Sequence, residues 1–169
     1  RAIAPTGTIS ILAGTTSGVE PVHSVAYRRR YLTDGTRWKY QFVVDGTANY
    51  LIERGVAPDK IESAVDLAED MERRVKFQYE LQKYVDHAIS STINLPEYGT
   101  ELNNDSHVVP FSKILRKYGH GLRGLTFYPS GSRGGQPINP VPYEEAITKR
   151  GIIFEDNSEE QCPSGVCGI

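Results

Sequence analysis

The chain opens with a segment in which few apolar residues are set among small, hydroxyl-bearing and glycine residues. The apolar positions between residues 5 and 21 are Ile9, Ile11, Leu12 and Val19. This spacing predicts a loop, then a short helix, then an extended segment that ends at Pro21.

Two strand-like segments follow. Residues 25–32 are predicted to form a strand, and residues 37–44 are rich in aromatic and β-branched side chains. Thr33-Asp34-Gly35-Thr36 between them is typical of a turn. We therefore expect a β-hairpin. Its basic run Arg28-Arg29-Arg30 is interpreted as charge on a sheet edge. Trp38, with Tyr40 and Phe42, is interpreted as packing rather than as a base-stacking platform.

The middle of the chain alternates between helical and strand-like patterns. Asp59 with Glu62 resembles a capping box and predicts a helix start, and the apolar spacing predicts a longer helix over about residues 70–86. Three more elements are then expected: a β-prone segment at 90–96, a helix at 110–118 and a strand at 124–128. This alternation predicts an α/β fold.

The composition changes after residue 130. Glycine and proline are frequent there, so we expect no regular element except a short helix at 143–149. The predicted division is a folded part over residues 1–130 and an extended, flexible tail over residues 131–169.

Length, charge and hydropathy restrict the class of protein. A chain of 169 residues that is 38% hydrophobic can bury one core. A formal charge of −2 and a pI near 6.1 argue against a nucleic-acid partner. Because no apolar run reaches membrane-spanning length and no secretory signal is found, a soluble cytoplasmic protein is expected. The chain begins at Arg1 without an initiator methionine, which we interpret as the C-terminal piece of a longer protein.

Both cysteines of the chain, Cys162 and Cys167, lie in its last eight residues behind an acidic stretch. A disulfide between them would close a very small loop and stabilise little. One exposed thiolate can instead attack a disulfide elsewhere, and the second thiol can resolve the mixed disulfide, so redox exchange is the favoured interpretation. The alternatives are half of a zinc site or two incidental thiols, and the four histidines are too scattered for finger spacing.

A second candidate site lies near the N-terminus, in residues 5–10, here called the Thr-Gly loop. Glycine lets backbone amides crowd together, and a helix that starts here would direct free N–H groups and hydroxyls at an anion. From the residues alone, however, an ordinary N-capped turn is the favoured interpretation and the anion site is the alternative. The candidate phosphate-binding residues are Pro5, Thr6, Gly7, Thr8, Ile9 and Ser10.

Several segments together resemble the catalytic subunits of ribonucleotide reductases. They are residues 5–21, 84–96 (with Ser90-Ser91-Thr92-Ile93-Asn94-Leu95-Pro96), 124–128, and the two tail cysteines. The resemblance implies the C-terminal portion of a ten-stranded α/β barrel, in which the Thr-Gly loop binds the diphosphate of a ribonucleotide substrate. It also implies that Cys162 and Cys167 re-reduce an active-site disulfide and receive electrons from thioredoxin or glutaredoxin.

The sequence Ala-Pro-Thr-Gly-Thr-Ile-Ser at residues 4–10 and the stretch Tyr27-Arg28-Arg29-Arg30 most resemble the adenosylcobalamin-dependent, class II branch. Class I members pass a radical through two consecutive tyrosines on the strand that corresponds to residues 125–128, whereas this chain has Phe127 before Tyr128. Phenylalanine has no phenolic proton to lose, so that relay would be broken. Adenosylcobalamin is therefore the implied cofactor, although the short cysteine tail is also common in class I.

The resemblance places the radical-bearing cysteine, the acid/base glutamate and the active-site cysteine pair in upstream segments. This chain alone is therefore expected to be inactive and to need that upstream part, and the resemblance also allows a homodimer. Glu20 is interpreted as a residue that positions backbone. Three alternatives stay open: a class I large-subunit fragment, a stand-alone dithiol carrier, and a nucleotide-phosphate binding module without chemistry.

Overall fold

The computed structural model describes residues 1–33, 37–132 and 136–155. Its strands are β1 (Ala26–Thr33), β2 (Arg37–Val44), β3 (Thr92–Leu95), β4 (Thr126–Pro129), β5 (Ile138–Pro140) and β6 (Ile153–Glu155). Its α-helices are α1 (Gly7–Ala13), α2 (Gly46–Ile52), α3 (Met71–Gln82), α4 (Val108–Tyr118) and α5 (Tyr143–Thr148). No helix in these described ranges is long and apolar enough to cross a lipid bilayer.

The predicted hairpin is confirmed. Strands β1 and β2 pair antiparallel along their length, and β5 and β6 add to the outer sides in the order β5-β1-β2-β6. The turn expected at residues 34–36 lies outside the described residues. Because β1 is a central strand, the interpretation of Arg28, Arg29 and Arg30 as edge charge is wrong.

The arginines of β1 contact polar and aromatic neighbours on β2 instead. Arg29 donates from Nη2 to Gln41 Oε1 at 2.7 Å, and the Arg30 guanidinium lies 4.3 Å from the centre of the Trp38 ring. These contacts place the positive charge over the hairpin itself. Trp38 is 42% exposed, so the packing interpretation holds for the buried Tyr40 and Phe42 rather than for Trp38.

One face of this sheet carries a small core. Ala26, Phe42 and Val44 are buried with Ala146 of α5, and Phe154 of β6 packs against them. The Phe154 ring stacks on Tyr40 and Phe42 at centroid distances of 5.6 and 5.7 Å. The last described strand is thus held by aromatic contacts as well as by backbone pairing.

The second sheet is parallel, as in α/β folds. Strand β3 pairs parallel with β4 across the connection that holds α4, and Ile3 forms a further parallel bridge with Ile89. Helices α3 and α4 cover this layer, and its core contains Val75, Ile93, Leu95 and Tyr118. The α/β prediction is confirmed. The barrel prediction is met only in part, because the described strands form two separate sheets and no closed barrel.

The helix predictions near residue 60 and near residue 70 have different outcomes. The Asp59–Glu62 capping box is wrong: Pro58–Lys60 forms a single 3-10 turn preceded by Ala57, with no side-chain cap. Asp70 is the N-cap of α3, and its Oδ1 accepts from the Arg73 N–H at 3.1 Å. The expected helix over 70–86 is therefore present but ends at Gln82.

On the hairpin side of the molecule one helix was not predicted and one prediction needs correction. Helix α2 was not expected, and it is capped by Asp45 Oδ1, which accepts from the N–H groups of Thr47 and Ala48 at 2.8 and 3.1 Å. After residue 130 the sequence predicts one helix and no strand. The expected helix is α5, but β5 and β6 pair with β1 and β2 because an edge strand needs few hydrogen bonds and tolerates proline.

Candidate functional site

The Thr-Gly loop forms the entry and first turn of α1. The carbonyl of Thr6 accepts from the Ser10 N–H at 2.8 Å, and the Gly7 N–H donates to the Pro5 carbonyl. The Ser10 hydroxyl donates to the Gly7 carbonyl at 2.8 Å, and Ser10 is 6% exposed. Ser10 therefore shapes the turn from inside and does not present its hydroxyl at the surface.

The remaining polar groups of the Thr-Gly loop face solvent. Pro5, Thr6, Gly7, Thr8 and Ile9 are all exposed. The N–H groups of Thr8 and Ile9 have no acceptor in the described part of the chain, as is usual in the first turn of a helix. Two amides and the Thr8 hydroxyl are thus available to an anionic group, and Gly7 adds no side chain beside them.

A second stretch of chain folds back against this loop. The Gly18 N–H donates to Thr6 Oγ1 at 3.2 Å, and the Ser17 hydroxyl donates to the Pro5 carbonyl at 3.4 Å. Gly18 has a φ of +52°, in the region that favours glycine. These contacts fix the entry of the Thr-Gly loop from a distance of twelve residues along the chain.

A cleft of about 650 Å³ opens at the carboxyl ends of β3 and β4. We call it the strand-end cleft. Its polar lining consists of His23, Glu69, Thr92, Asn94, Tyr128, Ser130 and Gln136, and the rest of the lining is largely apolar. In α/β folds this end of parallel strands is where ligand sites usually lie.

The two aromatic residues of β4 have different surroundings. Phe127 packs edge-on against Phe111 of α4, with ring centres 5.0 Å apart, whereas Tyr128 lines the cleft. His23 is half-buried beside the same cleft, and burial lowers the pKa of its imidazole. The cleft therefore holds a phenol and a histidine that favours its neutral form.

Arg74 was not predicted from the sequence as a site residue. It lies on the inner side of α3 and is only 3% exposed. Its Nη2 donates to the Thr92 carbonyl at 3.1 Å and to the Ser91 hydroxyl. Glu20 Oε1 accepts from the Thr92 N–H, which confirms the interpretation of Glu20 as a backbone-positioning residue. Only the spacing of Arg74, Gln78 and Gln82 on one helix face could have indicated a buried polar stripe.

The tail cysteines lie outside the described residues, so the predicted dithiol has no described surroundings. Across the ranges that are described, no three His, Cys, Asp or Glu side chains are grouped as metal ligands.

Comparison with known proteins is consistent across sequence and structure. Residues 1–128 match the family model for the ribonucleotide reductase barrel domain. The vitamin B12-dependent ribonucleoside-diphosphate reductase of Mycobacterium tuberculosis is 30% identical over 170 residues, which covers 90% of this chain and 24% of that protein. A putative adenosylcobalamin-dependent ribonucleoside-triphosphate reductase of Mycobacterium phage D29 is 27% identical over 100% of this chain and 28% of its own length.

Among solved structures, a B12-dependent (class II) ribonucleotide reductase superposes with a TM-score of 0.62 at 19% identity, over 87% of this chain and 22% of that one. That likeness concerns the fold. The chain spans about a quarter of the length of the curated relatives it matches. With three quarters of its residues matched by the barrel-domain model, the chain belongs to the ribonucleotide reductase family.

Proposed function

We propose that this chain is part of an adenosylcobalamin-dependent ribonucleotide reductase that converts ribonucleoside diphosphates to deoxyribonucleotides by radical chemistry. The observation that carries the proposal is the match along 90% of the chain to a relative named as a vitamin B12-dependent ribonucleoside-diphosphate reductase. The radical-bearing cysteine, the acid/base glutamate and the active-site cysteine pair would come from the rest of the enzyme.

In this proposal the Thr-Gly loop holds the diphosphate of the substrate. The available N–H groups of Thr8 and Ile9 and the hydroxyl of Thr8 are donors suited to phosphate oxygens. Gly7 has no side chain, and the space that a Cβ would occupy there has no described atom within 4 Å. A phosphate group can therefore come close to the backbone at this position. Pro5 and Thr6 set the entry, and buried Ser10 supports the turn from inside.

The residue pair on β4 supports the class II branch over class I. A relay through two tyrosines needs a phenolic O–H at both positions, and the first of the two is Phe127, packed against Phe111. Such a site suits a radical that is generated within the same subunit. A di-metal small subunit would then not be required.

Adenosylcobalamin, when bound, would supply the radical that starts the reaction. The strand-end cleft has the volume of a site for a drug-sized ligand, and a corrin ring with its nucleotide arm is much larger. The described residues therefore do not fit the cofactor by themselves, and we place none of its contacts on them.

The tail dithiol would complete each turnover. The Cys162 and Cys167 thiols would give two electrons and two protons to the active-site disulfide, and the disulfide that forms between them would be reduced by thioredoxin or glutaredoxin. The active-site cysteines regain their thiols in the same exchange.

Activity of the complete enzyme tests the proposal. We expect reduction of ribonucleoside diphosphates that requires adenosylcobalamin and proceeds without any small subunit. Parallel assays with triphosphates decide the substrate class. Activity that appears only with a di-metal partner subunit, and without cobalamin, would refute the assignment to class II.

A further inference from the structure

The segment that follows α1 joins the Thr-Gly loop to the start of β3. On one side, the Gly18 N–H donates to Thr6 Oγ1. On the other side, a Cβ at Gly18 would lie 3.1 Å from the Ser90 carbonyl oxygen, which is tighter than an ordinary contact. The backbone at Gly18 is therefore held between the Thr-Gly loop and Ser90. We expect a shift of Ser90 to displace Gly18 and, through it, the loop.

The residues just after Ser90 are held by two side chains of opposite charge. Glu20 accepts from the Thr92 N–H, and Arg74 donates to the Thr92 carbonyl and to the Ser91 hydroxyl. The backbone N–H and the carbonyl of Thr92 are thus both hydrogen-bonded to side chains from distant parts of the chain. Charge-assisted hydrogen bonds of this kind are stronger and more directional than neutral ones.

The cost of burying Arg74 indicates that this arrangement does more than fill space. A guanidinium that is 3% exposed loses most of its hydration, and an apolar side chain of similar volume often packs a helix equally well. Burial lowers the pKa of Arg74, and the nearby Glu20 carboxylate opposes that effect. The pair is therefore coupled by charge as well as through Thr92.

We propose that Glu20 and Arg74 are positioning residues for the substrate's diphosphate: they hold Ser91 and Thr92, which follow Ser90. Gly18 is set against Ser90 and in turn contacts the Thr-Gly loop through Thr6. The inference rests on the proposed function of that loop. A displacement of the loop amides would weaken contacts to phosphate oxygens while leaving contacts to the nucleoside in place. Small misplacements of binding groups can cost up to about 100-fold in rate.

The test compares CDP with cytidine as ligands of the complete enzyme, by calorimetry or competition. Glu20→Ala should weaken CDP binding by about tenfold while cytidine binding changes little. Glu20→Gln keeps a carbonyl oxygen for the Thr92 N–H but removes the charge near Arg74, so its loss of CDP affinity should be smaller than that of Glu20→Ala. Arg74→Met should resemble Glu20→Ala. The matched control is Arg73→Met, because Arg73 lies on the same helix but pairs with Glu62 at the surface.

Three outcomes would overturn the inference: unchanged CDP affinity in Glu20→Ala, equal losses for CDP and cytidine, or a Gln variant as weak as the Ala variant. If Arg74→Met does not fold, the Glu20 pair still decides. Gly7→Val separates this inference from the proposed function: if it leaves CDP binding unchanged, the function of the loop is wrong. If it weakens CDP binding and Glu20→Ala does not, the positioning role alone is wrong.

Discussion

His23 shows how a single side chain can respond to its position beside the strand-end cleft. Its Nδ1 lies 3.2 Å from the Ser24 hydroxyl, and burial lowers the pKa of the imidazole below its ordinary value of 6.5. The unfolded chain therefore binds a proton at this residue more tightly than the folded chain does. The free energy of unfolding therefore keeps its full value while His23 is neutral, above pH 6.5. It decreases as the pH falls from 6.5 through the lower pKa of His23 in the folded state.

We expect the free energy of unfolding to decrease as the pH is lowered from about 7 towards 5, and His23→Gln to reduce that decrease. The neutral amide keeps a polar group beside Ser24 but does not titrate. Denaturation midpoints of both proteins across this range measure the effect. An identical pH dependence in the variant would show that His23 does not cause it.

At the scale of elements, the hairpin sheet depends on a strand that contributes only three residues. Strand β6 pairs with Lys39, Tyr40 and Gln41, and Phe154 stacks on two buried aromatic rings of β2. Three residues of backbone pairing alone hold a strand weakly. The ring contacts of Phe154 therefore account for much of the attachment of β6.

Phe154→Ala should lower the free energy of unfolding by about 1–3 kcal/mol, since it removes two aromatic contacts and part of a small core. It should also increase hydrogen exchange at the amides of β6. Ile153→Ala is the control: Ile153 is 52% exposed, and its replacement should cost less than about 0.5 kcal/mol. Equal effects of the two substitutions would contradict the anchoring role of Phe154.

Elements with a periodic pattern or a clear cap could be predicted from the sequence. The hairpin has two β-rich runs around a turn, and α3 begins at the capping residue Asp70. Strands β5 and β6 could not be predicted because each has only three residues and exists only by pairing with β1 or β2, and β5 also ends in proline. Asp59 and Glu62 matched a capping box whose helix does not form.

The candidate site divides in the same way. The Thr-Gly loop has a local signature of glycine and hydroxyl residues, so it could be found from the sequence. Arg74 contacts Thr92, which lies 18 residues away, and Glu20 contacts the same residue from 72 residues away. No local sequence pattern encodes contacts between residues so far apart in the chain. Ser10 is buried, and its hydroxyl donates to the Gly7 carbonyl, a contact that is known only from the structure.

At the scale of the whole molecule, the packing of β6 changes the reach expected for the tail dithiol. The sequence suggested a flexible stretch of about 30 residues from Gly131 to Cys162 with a reach of about 30 Å. Because pairing continues to Glu155, and Cys162 follows it by seven residues, the thiol can lie at most about 24 Å from Glu155 in an extended chain. If Cys162 is the thiol that reduces the active-site disulfide, we expect that disulfide to come within this radius of Glu155.

Replacing Cys162 and Cys167 with serine should abolish multiple turnovers driven by thioredoxin. A first turnover of pre-reduced enzyme should survive, as should activity supported by a small dithiol that reaches the site directly. Single-turnover and steady-state product yields separate these cases. Normal cycling of the double variant with thioredoxin would show that the tail is not the shuttle.

The binding of a ribonucleoside diphosphate to the complete enzyme tests the central claim most directly. Gly7→Val places a branched side chain beside the free amides, and because a Cβ there would meet no described atom within 4 Å, we expect the fold to persist. Gly119→Val is the matched control, since Gly119 also has an ordinary backbone and no described atom within 4 Å of a Cβ. Calorimetry should show CDP affinity reduced about tenfold or more in Gly7→Val, or ~1.4 kcal/mol, and nearly unchanged in Gly119→Val. Wild-type affinity in Gly7→Val would contradict the account, because the diphosphate would then be held elsewhere.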